Sequence, residues 1–536
     1  MAERSQPLMP RWLIPGLLAA LVTCGIALLA FASLLWNAPL THGYRWLSDP
    51  YLRHVIAFSF EQAALSTLLS VLPAILVARA LYRRRFPGRK LLLRLCAMTL
   101  VLPVLVAVFG LLSVYGRDGW LASLATLAGF HYSFSVYGLQ GILLAHVFFN
   151  LPLAARLLLQ SLEQIPAEQR QLAAQLNMQG FYLFRWLEWP WLKRQLLPVA
   201  ALIFMLCFAS FAIVLALGGG PRATTLELAI FQALSYDFDP EKAAVLALVQ
   251  LSFCLLLVLL SLRLNTTLAG NSPLVSHWRS PDDRWRPRIT DSLVIILTLL
   301  LLIPPVLAVV INGLNPNLFS SLRQSGLWVA TWNSVSIAVR AGVLSVILTM
   351  MLLWSSRELR LRGNLLPAQL LDTSGMLILA MPGIVLASGI FMFYNSTSGV
   401  PDSPENIIVL VNALIAMPYA LKVLDTPMRD IAQHYNQLCL SLGIQGWQRI
   451  RLVEERALKR PLAQALAFAC VLSVGDFGVV SLFGSDDFRT LPFYLYQQIG
   501  AYRGQQAAVS ALLLLLVCFV LFTLIEKIAG NHADAE

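Results

Sequence analysis

A chain of 536 residues with 58% hydrophobic and 12% charged residues carries about half the charge of an ordinary soluble domain, roughly 25%. No globular core of this size hides so much apolar surface, so lipid must be the solvent for much of it. The net charge of +11 lies in separate loops and not on one face, which leaves no surface for nucleic acid.

In chain order, apolar stretches at 12–44, 62–82, 95–116, 119–155, 195–221, 243–262, 292–322, 324–356, 373–401, 406–421, 461–485 and 504–525 reach or approach the roughly 20 residues that cross hydrocarbon. Three of them are interrupted by one charge: Arg79, Arg340 and Asp476. The expectation is an all-α polytopic protein with about twelve membrane helices. Arg4 and Arg11 followed by an apolar run resemble a signal peptide. That run extends to about Trp36, beyond the usual 7–15 residues, and is expected to stay as an uncleaved first helix. Lys and Arg cluster at 83–94, 156–194, 263–288, 357–362 and 422–460, while the alternate loops carry few or none. The basic loops and both termini are therefore expected in the cytoplasm. Seven scattered cysteines, mostly inside spans, have no metal or disulfide spacing and read as apolar fillers.

The sequence repeats itself. At an offset of 266 residues, 171–194 lies over 437–460 with 10 identities in 24 positions. The same offset sets Pro152 over Pro418, and 210–218 over 476–484. At a slightly different offset, Leu102, Pro103, Gly110 and Tyr115 match Met381, Pro382, Gly389 and Tyr394. Six spans per half give both copies the same orientation, so two parallel six-helix repeats are predicted, with a pathway at their interface. The expected repeats are 1–261 and 290–536, joined by a polar, proline-containing cytoplasmic linker at 262–289.

The best-matched part of the repeat lies between the fourth and fifth spans of each half, on the expected cytoplasmic side. It holds a helical run (168–176), a breaker at Asn177 or Gly443, and a second break at Gly180 or Gly446. An aromatic, Phe181 or Trp447, then leads another amphipathic run. Asn and Gly tolerate left-handed backbone, so helix, turn, short helix is predicted twice. A short helix led by an exposed aromatic suits a groove in another protein.

On these residues the chain resembles the binding-protein-dependent ABC importer permeases of type I fold. Their signature is Glu-Ala-Ala, three residues, Gly, and then a stretch to Ile-x-Leu-Pro. Gln171 and Gln437 sit at the Glu position, with Leu172-Ala173 and Leu438-Cys439 at the two Ala positions. Asn177 and Gly443 sit at the Gly position, and Pro190 at the final Pro, which Arg456 replaces in the second half. The resemblance covers nearly the whole chain. Duplicated one-chain permeases of this family occur for ferric iron and for thiamine. The length and the run 77–89 look most similar to the thiamine and thiamine pyrophosphate permeases of enteric bacteria, with ferric iron as the rival substrate.

The resemblance implies a Gram-negative inner membrane, two copies of an ABC ATPase subunit and a periplasmic substrate-binding protein. The ATPases would dock on the loops carrying Gln171, Ala173, Asn177, Gly180, Phe181 and Pro190, and Gln437, Gly443, Gly446 and Trp447. Their nucleotide-driven closure would rock the halves between inward-open and outward-open. The chain has no Gly-Lys dipeptide and hence no Walker A loop, so the energy must come from a separate subunit. The chain itself is not expected to be an enzyme or to hold a cofactor.

Ionisable residues inside the membrane are candidates for function. Glu61 near the outer end of the second span and Arg340 in its counterpart are expected to pair or approach. Asp476, opposite Ser210 in the repeat, could with Phe211 and Phe477 favour a cationic ring; the structural alternative is a packing or capping Asp. His146, over Asn412, and Asn150 are expected to hydrogen-bond between helices. No catalytic constellation or metal-spaced cluster occurs. A secondary transporter with six-plus-six repeats is the competing class, but it would couple through buried acids and bases and has no need of matched, aromatic-tipped loops.

Overall fold

The computed structural model describes residues 10–38, 49–99, 101–264, 285–397, 399, 404–444, 447–485 and 488–530. They form helices joined by turns, with no strand among them. Among the described residues, eleven helices are long and apolar enough to cross a membrane, and Leu226–Ser235 and Gly383–Thr397 are shorter apolar helices. The first half contains α1 (Pro10–Asn37), α2 (Pro50–Arg83), α3 (Val104–Tyr115), α4 (Leu139–Glu163), the short α5 (Ala167–Gln175) and α6 (Trp189–Phe208). It continues with α7 (Phe211–Leu217), α8 (Leu226–Ser235) and α9 (Pro240–Leu264). The second half contains α10 (Trp285–Gly313), α11 (Ser325–Leu361), α12 (Gly383–Thr397), α13 (Glu405–Ser441) and α14 (Glu455–Gly475). It ends with α15 (Gly478–Phe483), α16 (Leu491–Gly500) and α17 (Gly504–Gly530). Linker residues 265–284 lie outside the described residues.

Several expected spans are interrupted, each for a local reason. The run 95–116 becomes helical again only at Val104, after Pro103, which restricts the residue before it and donates no hydrogen bond. The run 119–155 divides into Trp120–Leu127 and α4, which starts after Gly138 at φ 89°. The fifth span breaks in both halves at matching positions: Ala209 and Ser210 separate α6 from α7, and Asp476 and Phe477 separate α14 from α15. Broken helices at membrane depth persist where protein, and not lipid, surrounds the freed backbone groups.

Two helix starts are capped identically in the two halves. Ser59 of α2 accepts the Leu226 N–H at 3.0 Å, at the first residue of α8. Ser334 of α11 accepts the Leu491 N–H at 2.7 Å, at the first residue of α16. Each hydroxyl satisfies one of the backbone donors that a helix start leaves open.

Packing divides the chain into two compact units that do not follow the halves. One comprises Met1–Thr41, Ile230–Leu251 and Pro316–Glu536; the other comprises His42–Ala229 and Ser252–Asn315. Within the first, α1 packs on α11 and α12. Within the second, α10 packs on α3 and α2. Each half therefore gives its first helix to the bundle of the other. The matched glycines of the repeat make room for it. A Cβ on Gly110 would lie 2.4 Å from the Pro305 carbonyl oxygen of α10, and one on Gly389 would lie 2.6 Å from the Ala30 carbonyl oxygen of α1. Lipid provides no hydrophobic drive between helices, so small residues that admit a neighbouring backbone supply the packing energy.

Candidate functional site

The repeated segment folds as helix and turn in both halves. In the first, α5 exposes Gln171 and buries Ala173. It ends with Asn177 at φ 50°, whose N–H reaches the Ala174 carbonyl at 3.0 Å, while the Met178 N–H reaches Ala173 at 2.9 Å. In the second, Gln437 is exposed and Cys439 buried near the end of α13. Gly443 has φ 65°, its N–H reaches Leu440 at 3.4 Å, and the Ile444 N–H reaches Cys439 at 2.9 Å. These are twin Schellman endings, which explains why Asn or Gly stands at that position.

Gly180 has φ 54°, the second left-handed residue of the first copy. Gly446 and the Trp447 side chain lie outside the described residues; the backbone at Trp447 opens the short helix Trp447–Arg449. Phe181, Tyr182 and Trp186 are 72%, 69% and 66% exposed, a degree of aromatic exposure that calls for a covering surface.

Two details differ from the sequence expectation. The aromatic-led run is not a free short helix: Gly180–Leu183 passes through one turn of π-helix, Phe184–Glu188, directly into α6, whose second residue is Pro190. The separate short helix is α5 instead. In the other half even that is not separate, because α13 runs 37 residues without a break. Pro166 precedes α5, whereas Ala432 stands at the repeat position in α13. Pro166 holds extended backbone, φ −58° and ψ 146°, as the cap of α5, whereas Ala432 lies within the continuous α13, which also runs through Pro418 and Pro427.

A second π-turn, Ile450–Glu454, lies at the same repeat position as the first. Both end on a glutamate that is almost fully buried: Glu188 is 2% exposed and Glu454 is 1% exposed. Glu188 accepts from Arg79 Nε at 2.7 Å and from Arg83 Nη2 at 3.2 Å, both on α2. Glu454 accepts from Arg357 Nη1 of α11 at 2.5 Å and pairs with Arg449 Nε at 3.1 Å. Each clamp adds an aromatic face, Arg79 over Phe184 at 4.1 Å and Arg357 over Trp354 at 4.4 Å. These residues escaped the sequence reading. The signal was the identity of Glu188 and Glu454 within a segment whose neighbours differ.

Inside the bundle, His146 of α4 sits between two hydroxyls, Nδ1 2.8 Å from Ser66 Oγ of α2 and Nε2 2.9 Å from Ser210 Oγ at the helix break. An imidazole can donate through one nitrogen and accept through the other. Asn150 Nδ2 donates to Cys207 Sγ at 3.2 Å. Both side chains thus join helices, as expected. The repeat equivalents meet as well: Asn412 lies beside Asp476, which faces the backbone N–H groups of Gly478, Val479 and Val480 at the start of α15. Asn412 also donates to Ser473 Oγ at 3.0 Å. Asp476 follows the last residue of α14 and stands one residue before Phe477, the N-cap of α15. Phe211 is buried, and the buried Phe477 ring lies 5.0 Å from Tyr496 and 6.3 Å from Phe493. Replacing His146 with Leu removes both hydroxyl contacts and is expected to cost about 1 kcal/mol, from a mean of about 0.6 kcal/mol for each membrane-helix hydrogen bond. Detergent-unfolding midpoints measure it; an unchanged midpoint would show the contacts to be idle.

Glu61 is exposed on α2. Arg340 engages Glu405 at 2.6 Å. Glu405 opens α13, so one unit supplies both partners. Among the described residues no group of three His, Cys, Asp or Glu side chains could hold a metal ion.

A family model described as the binding-protein-dependent transport system inner membrane component matches residues 361–530. The chain is 66% identical to the thiamine transport system permease protein of Salmonella typhimurium and 65% identical to that of Escherichia coli, over all of each chain. It is 45% identical to the permease protein of that description from Haemophilus influenzae over 492 residues, 92% of this chain and 90% of the other. The chain belongs to this permease family. The match to the family model begins at the end of α11 and takes in α13, the second Schellman turn, the second π-turn and α14. A permease component of an ABC transporter is a multi-pass inner-membrane protein that works in a complex, and the eleven long apolar helices fit that role.

Proposed function

We propose that this chain is the membrane channel of an ATP-driven importer for thiamine and thiamine phosphates. The observation that carries the substrate is the 65–66% identity, end to end, with two thiamine transport permeases. Two copies of a separate ABC ATPase subunit grip the two repeated segments, through Gln171, Ala173, Asn177, Gly180, Phe181 and Pro190 in the first half and Gln437, Gly443, Gly446 and Trp447 in the second. The twin Schellman turns and the exposed Phe181 support this assignment. A periplasmic binding protein delivers the substrate on the opposite side. Nucleotide-driven closure of the ATPases rocks the two bundles, which descend from duplicated halves at 1–261 and 290–536 joined by the linker 262–289. The membrane is the inner membrane of a Gram-negative bacterium, with both termini in the cytoplasm. Glu61, Ser210, Phe211, Arg340, Asp476 and Phe477 stand beside the path; the matching helix breaks at Ser210 and Asp476 support that placement.

The test is uptake by proteoliposomes holding the chain, its ATPase subunit and its binding protein. Labelled thiamine is expected to accumulate only with ATP and with both partners present. Accumulation of ferric iron in its place would refute the substrate. Uptake by the chain alone would refute the class.

A further inference from the structure

We propose that Glu188 and Glu454 are positioning residues that transmit movement from each docking segment to the second span of the same half. This rests on the docking reading above and extends it to residues that touch neither ATPase nor substrate. Three observations carry it.

The first is placement. Each glutamate closes the single π-turn that follows its docking segment, at equivalent repeat positions. A π-turn holds more residues than an α-turn, and such turns concentrate at functional places in helices. Where the turn ends decides which face the residues before it present, at about 100° per residue. The clamp fixes that end.

The second is the partner. Both cations come from α2, the second span, in the first half; in the second half Arg357 comes from the second span, α11, and Arg449 from the docking segment itself. Phe181 and Trp186, the exposed aromatics, are thus tied through one carboxylate to a helix that packs along α4 and α6. In the other half, α11 packs along α13 and α14 in the same way.

The third is burial. A carboxylate removed from water and held by two guanidinium groups is a poor means of adding stability, because desolvation offsets the attraction. It is a good means of enforcing one geometry, since any shift that parts the ions leaves a buried charge alone. Arg79 and Arg357 are fixed further by the Phe184 and Trp354 rings. Force applied to the docking segment therefore moves the second span instead of stretching the turn.

The experiment uses the whole complex in proteoliposomes, with Glu188→Gln and Glu454→Gln singly and together. Two quantities are read: ATP hydrolysed per thiamine imported, and crosslinking of Gln171→Cys and Gln437→Cys to the ATPase subunit. The ratio is expected to rise about tenfold in the double variant, within the range over which coupling residues act, with crosslinking retained. Hydrolysis and uptake falling in proportion, or an unmoved ratio with crosslinks intact, would overturn the latch alone. Failure of the crosslinks in the otherwise unaltered chain would remove the docking reading and the latch together. If Glu454→Gln does not accumulate in the membrane, Arg357→Lys serves, since it keeps the charge and loses the planar fork. The same rise in ratio supports the proposal, and a wild-type ratio overturns it.

Discussion

In Gly180→Pro, thiamine uptake is expected to fall about 100-fold, near the upper end of coupling between distant sites, while the chain inserts normally. The reason lies in one dihedral angle. Gly180 has φ 54°, and proline holds φ near −65°. Gln179 before it is already extended, so the residue preceding the proline raises no objection. The conflict is therefore confined to Gly180, and relieving it redirects the helix that carries Phe181 and leads into α6. Gly180→Ala is the graded control. No atom lies within 4 Å of a Cβ there, so the cost is only that of a left-handed alanine, about 1–2 kcal/mol. Partial uptake is expected from it. Trp447→Ala, at the repeat position of Phe181 in the second half, should uncouple hydrolysis from uptake in the same manner. Wild-type uptake in Gly180→Pro and Trp447→Ala would show that these segments do not engage the motor.

Gly110→Leu and Gly389→Leu are expected to lower the yield of folded protein sharply. At both positions even a methyl group would meet a backbone carbonyl, with the carbonyl carbon at 2.9 Å in each case. Backbone cannot swing aside as a side-chain tip can. Inserting one methylene into a tight core costs about 1–3 kcal/mol, and leucine adds far more than that. Gly110→Ala and Gly389→Ala should therefore already lower the unfolding midpoint in detergent, and the leucines should release α10 or α1 from its bundle. Protease cleavage in the freed helix, or loss of the monodisperse peak, reports the release. Midpoints equal to the parent in all four variants would show that the exchanged helices are held elsewhere.

How much of this was legible in the residues follows the range of each interaction. A membrane helix satisfies its own backbone within four residues, so composition alone marked nearly every span. The Schellman turns are equally local, which is why Asn177 and Gly443 could be read as breakers before any packing was known. Pro166 caps the separate α5 where Ala432 lies inside α13, but α13 runs unbroken through Pro418 and Pro427, so residue type alone did not decide that contrast.

What the sequence by itself determined was the set of spans, the duplication and the two turns. Only the tertiary structure decided which bundle receives α1 and α10, since an apolar helix face carries no address and lipid favours no one partner over another. It also decided that Glu188 meets Arg79 across 109 residues, Glu454 meets Arg357 across 97, and Arg340 takes Glu405 across 65. Charge pairing depends on distance in space, and no periodicity along the chain encodes that distance.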